Sequence, residues 1–209
     1  MKGATGTARM PRVFVSYHHE DELEPGPYQG RVTQFATFLR RAIQQRTIID
    51  YDPVLIDYEH KVTDQAWRQK IEDELGQTAL FVAIMTSGYL RSSTCQWEWS
   101  VYRKLYLSHD HPRGFLTVKL CLEKIIGEEL AKPAWSCARD QWEFPQATCE
   151  QAFMYGPTPQ DRAWPELISS VRDEALHWIQ GELVAVSGLE FSAQPRASGV
   201  REQRQAVEW

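Results

Sequence analysis

The chain has 209 residues, 43% of them apolar and 24% charged, with a formal net charge of −5. That balance suits a soluble globular protein of one domain, whose core needs neither a disulfide nor a metal, and it excludes wholesale disorder. The basic residues are scattered along an acidic chain, so no face for nucleic acid is expected; no apolar stretch suits a signal peptide or a membrane span, and a cytoplasmic protein without a membrane partner is the expectation.

RVFVSY at 12–17 is a short β-branched and aromatic run that stops at HHEDELEPGPYQG, which predicts a buried strand feeding a polar loop. Val32, Phe35, Phe38, Leu39, Ala42 and Ile43 then recur at helical spacing and predict an amphipathic helix. VLIDY at 54–58 predicts a second strand, and Trp67, Ile71 and Leu75 mark a second helix with Asp64 placed to cap it. ALFVAIM at 79–85 is the most apolar run and shows no alternation, as expected of a central parallel strand covered on both faces. A helix through WSVYRKLYL follows, then a fourth strand at FLTVKL (115–120) and a short fifth at QWEF (141–144). A long amphipathic helix carries Leu167, Ile168, Val171, Ala175, Trp178 and Ile179 behind Pro165, which suits a first turn. The alternation predicts an α/β fold with an open sheet of about five parallel strands joined by right-handed crossovers. The expected organisation is a leader at 1–10, one domain at 11–186 and a polar tail or linker at 187–209.

Cys95, Cys121, Cys137 and Cys149 contain no C-x-x-C pair, so neither a zinc site nor a redox motif is indicated, and without a secretion signal they read as buried thiols. HDH at 109–111 offers two imidazoles and no third ligand, which reads as a solvated turn. No metal is expected.

Ligands of an open parallel sheet lie beyond the carboxyl ends of its strands, which selects Ser16 to Gly30, Asp57 to Asp64 and Thr86 to Glu98. The glycines of GPYQG are spaced wrongly for a dinucleotide fingerprint, and Met85, Thr86 and Ser87 stand where a receiver domain needs its aspartate. Within SSTCQWEW (92–99), Ser93 and Gln96 have capping-box spacing, so a helix is expected to start there and to carry Glu98 in its second turn. Cys95, Glu98 and Tyr102 then share one face, with Trp97, Val101 and Leu105 on an adjacent apolar one. Position alone leaves two readings of Glu98, a cleft carboxylate or a surface acid favoured by the helix dipole.

Three stretches together resemble the TIR (Toll/interleukin-1 receptor) domain between about Pro11 and Gln180. RVFVSYHHED resembles the family's first box, and VLIDYEHKVTDQAW its second strand, BB loop and following tryptophan. AIMTSGYLRSSTCQWEW resembles its Ser-x-x-Tyr-Leu-x-Ser-x-x-Cys-x-x-Glu pattern, with Tyr89, Leu90, Ser92, Cys95 and Glu98 in register. Thr86, Thr94 and Asp64 depart from it, standing where serine, tryptophan and glycine are usual. The resemblance implies a flavodoxin-like fold with helices on both faces. It also implies an NAD⁺ glycohydrolase or cyclase of bacterial antiviral defence, with Glu98 catalytic and NAD⁺ as substrate rather than cofactor. The alternative it allows is a non-enzymatic module acting by homotypic assembly into an oligomer or filament.

Expulsion of neutral nicotinamide leaves positive charge on ribose, and a single carboxylate suffices to oppose it because the leaving group needs no proton. Tyr17 is the candidate to stack on a flat ring of NAD⁺, with an edge-of-core tyrosine as the plain alternative. His18 is a candidate phosphate contact, and Asp57 a contact to the ligand or to a neighbouring subunit. Ser16, Ser87 and Cys95 complete the expected ligand-contacting set at the strand ends. Trp67 reads as a core residue with pocket lining as the alternative.

Overall fold

The computed structural model describes residues 10–23, 29–56, 65–108, 114–119, 142–143, 152–153, 156–157 and 162–187. In chain order its elements are β1 (Arg12–Ser16), α1 (His19–Leu23), α2 (Arg31–Gln44), β2 (Val54–Ile56), α3 (Gln65–Gly76) and β3 (Thr78–Met85). They continue as α4 (Ser87–Arg91), α5 (Ser93–Ser108), β4 (Gly114–Lys119), β5 (Trp142–Glu143) and α6 (Ala163–Ser187). The strands pair in parallel in the order β2-β1-β3-β4-β5. This is a doubly wound order whose switch point lies between β1 and β3.

Successive side chains of a strand point to opposite faces, and the core divides accordingly. Val13 and Val15 of β1 with Leu80, Val82 and Ile84 of β3 pack under α2 and α6. Phe14 of β1 with Phe81, Ala83 and Met85 of β3 pack under α3, α4 and α5. Every residue of β3 is buried, as expected of a central strand without alternation. On the second face Phe81 stacks on Tyr102 at 4.9 Å and lies 5.6 Å from Phe14.

The sequence reading of residues 19–23 as loop is corrected, because His19–Leu23 is helical and turns Glu22 inward to 8% exposure. The Glu22 carboxylate accepts the N–H groups of Val32 and Thr33, each at 2.9 Å, at the start of α2. Gly30 precedes that helix at φ 70°, a left-handed position suited to glycine, and supplies no side-chain cap. Glu22 therefore satisfies orphan N–H groups that a local cap normally takes. Its hydrophilic sequence context hides this role.

The expected amphipathic helix over Val32 to Ile43 is α2, with Val32, Phe35, Leu39 and Ile43 buried and Phe38 37% exposed at its margin. Pro165 falls in the first turn of α6. Asp64, the histidines of HDH, the cysteines other than Cys95 and the tail from residue 188 lie outside the described residues.

Candidate active site

Two residues beyond Phe14, Ser16 projects from the last position of β1 onto the face covered by α4 and α5. Its neighbours there are the functional groups of those helices. Ser16 Oγ donates to Glu98 Oε2 at 2.5 Å and meets Tyr89 OH at 3.1 Å. The 2.5 Å contact lies at the short end of hydrogen bonds between hydroxyl and carboxyl oxygens. Glu98 is 3% exposed and Ser16 2% exposed, so the surface-acid reading of Glu98 is excluded.

The helix pair that delivers these groups is built around Ser92. Its backbone N–H closes α4 on Gly88 O and Tyr89 O, and its Oγ accepts the Cys95 N–H at 3.3 Å to open α5. The cap is thus Ser92 rather than Ser93, while Gln96 turns back to donate to Leu90 O at 3.1 Å. The expected pairing of Ser93 with Gln96 fails because Ser92, one residue earlier, is the residue with extended backbone. From this start Cys95, Glu98 and Tyr102 all turn inward, and Tyr102 OH donates to Gly114 O at 2.5 Å. Trp97, Val101 and Leu105 pack partly buried against the same core.

Cys95 Sγ points at Tyr17 O, 3.5 Å away, and joins α5 to the end of β1. Burial, and then the negative charge of Glu98, raise the Cys95 thiol well above its ordinary pKa. A thiol so placed stays protonated and is no nucleophile. The Tyr17 ring is 5% exposed and stacks on His19 at 4.8 Å.

The loop after β1 and the start of α4 are tied together. Thr86 accepts the Tyr89 N–H at 3.0 Å as the cap of α4 and also donates from the same hydroxyl to Asp21. His18 lies 3.6 Å from Asp21 and rests against Gly88, where an added Cβ would stand 2.4 Å from its Nδ1. Ser87, half-buried, occupies the first position of α4 beside this group. Threonine serves here as serine would, because the hydroxyl is the part used.

Trp67 is 4% exposed and packs on Trp97 at 5.6 Å, in the contact between α3 and α5, one residue from Glu98. Asp57 lies outside the described residues. The structure thus gathers Ser16, Tyr17, Cys95 and Glu98 at the carboxyl end of β1, with His18 and Ser87 grouped at Thr86. Tyr89, Asp21 and Thr86 belong to the same assembly and were not singled out as site residues from sequence. The strand-end segments selected from sequence contain all three, and Tyr89 also falls in register within the motif that carries Glu98. Among the described residues no group of three or more metal-ligating side chains occurs.

A family model of the TIR domain matches residues 13–152. No curated protein matches the chain. Among solved structures, the TIR domains in "Structure of the activated Roq1 resistosome directly recognizing the pathogen effector XopQ" are similar at 12% identity, with a TM-score of 0.40 over 91% of this chain and 92% of that one. With the family match spanning more than half of the 209 residues, the chain belongs to the TIR domain family.

Proposed function

We propose that this TIR domain cleaves NAD⁺ at the bond between nicotinamide and ribose, as a glycohydrolase or cyclase. The observation that carries the reading is a carboxylate buried at the sheet's switch point, Glu98, held by a hydroxyl from the end of β1 at 2.5 Å. A negative charge kept out of water interacts strongly with positive charge developing beside it. The ribose of NAD⁺ becomes positive as nicotinamide leaves, and one carboxylate meets that need without a general acid. Cys95 and Tyr89 stay neutral beside Glu98, both made weaker acids by burial first and then by the Glu98 carboxylate. The product is then ADP-ribose or a cyclic isomer, and the setting suggested by the family resemblance is bacterial antiviral defence by signalling or by NAD⁺ depletion. Homotypic assembly belongs to the same reading, with a neighbouring copy completing the pocket.

Purified protein incubated with NAD⁺ at high concentration, with and without a crowding agent, tests this. Release of nicotinamide with an equal amount of an ADP-ribose product is the expected result. Self-association without any nicotinamide release would favour the non-enzymatic assembly module instead.

A further inference from the structure

Ser16 has one hydroxyl proton to give and two lone pairs to accept with. Because Oγ gives that proton to Glu98 at 2.5 Å, the 3.1 Å contact with Tyr89 runs the other way, with the phenol as donor. The order is therefore Tyr89 to Ser16 to Glu98, through side chains of α4, β1 and α5. The Tyr89 side chain is fully buried. Burial first, and then the nearby Glu98 carboxylate, push its pKa well above the ordinary tyrosine value, so it remains a donor at any working pH. Its place is set by the first turn of α4, where Thr86 holds the Tyr89 N–H at 3.0 Å.

We infer that Tyr89 is a positioning residue for Glu98, acting through Ser16 as a directional hydroxyl chain that fixes the orientation and the basicity of the carboxylate. The inference deepens the NAD⁺ reading above and rests on it for its functional meaning. A phenol donating to Ser16 polarises the serine hydroxyl and makes it a better donor to the carboxylate. A better donor lowers the proton affinity of Glu98 and holds it ionised for the cationic sugar.

The test is a titration of Glu98 by carbon NMR in protein carrying carboxyl-labelled glutamate, the Glu98 signal being the one absent from Glu98→Gln. Ser16→Ala should raise its midpoint by roughly one pH unit, because a hydrogen bond to the charged form is lost. Tyr89→Phe should raise it by about 0.3 of a unit, the share that cooperative polarisation contributes. Tyr89→Phe should add nothing in a Ser16→Ala background, while Ser16→Thr, which keeps the hydroxyl, should stay close to wild type. In turnover, Tyr89→Phe should lower kcat about two- to threefold with KM unchanged. A folded Tyr89→Phe protein with an unmoved midpoint, or a shift of equal size with and without Ser16, overturns the chain. The titration is read without NAD⁺, so a wild-type protein that fails to turn over overturns the NAD⁺ reading alone.

Discussion

A carboxylate kept at 3% exposure is expensive to desolvate, and Glu98 is held there by a serine hydroxyl at 2.5 Å. The neighbouring acids bear the consequence, since Cys95 and Tyr89 both have their pKa raised by burial and by the Glu98 charge. Raised values in the folded state mean that each group contributes fully below its unfolded pKa, and that stability falls as pH climbs above it. For Cys95 the loss begins near its ordinary value of 9.0 and for Tyr89 near 10.0. Chemical denaturation of wild type and Cys95→Ala across this alkaline range should show a wild-type slope steeper by about 1 kcal/mol per pH unit between those two values. Parallel slopes would mean that Cys95 titrates alike folded and unfolded. At this scale Glu98, Cys95 and Ser16 were legible because a motif and a strand end mark them. Tyr89 as a hydrogen-bond donor was not, because its partner lies 73 positions away in sequence.

Elements were legible where periodicity was long. β3, α2 and α6 follow from apolar runs or stripes that only one packing satisfies. α1 was not, since four polar residues and one leucine give no stripe, and its stability comes from what Glu22 does elsewhere. Glu22 satisfies two N–H groups of α2 at 2.9 Å, across a turn whose Gly30 offers none. Glu22→Ala should therefore lower stability by about 2 kcal/mol, near the upper end for a lost cap, and Glu22→Gln, which keeps one acceptor oxygen, by about half of that. Urea denaturation measures both, and an unchanged Glu22→Ala midpoint would show that water replaces the carboxylate. The shift of the α5 cap from Ser93 to Ser92 has a similar origin. Sequence spacing finds a candidate pair, but the backbone conformation that decides which serine caps is set by the end of α4.

For the whole molecule, the strand order places β1 and β3 side by side with helices on both faces, so segments far apart in sequence meet at one edge. The α/β class and the position of that edge follow from the alternation of strands and helices. How a substrate enters does not, and a second copy is the expected contributor. Specific activity should therefore rise with protein concentration and level off as assembly completes; activity strictly proportional to concentration, alongside a monomer by light scattering, would count against a shared pocket. The central claim is narrower and concerns Glu98. Glu98→Gln keeps shape and hydrogen bonding but removes the charge, so it should cost roughly 3 kcal/mol or more of transition-state stabilisation, about a hundredfold in rate. Because a buried charge opposes folding, the same variant should melt at or above the wild-type temperature. The decisive measurement is nicotinamide release from NAD⁺ by wild type and Glu98→Gln at equal concentration. Wild-type turnover with at least a hundredfold loss in a fully folded variant is the predicted result, and turnover undiminished in Glu98→Gln would contradict the account.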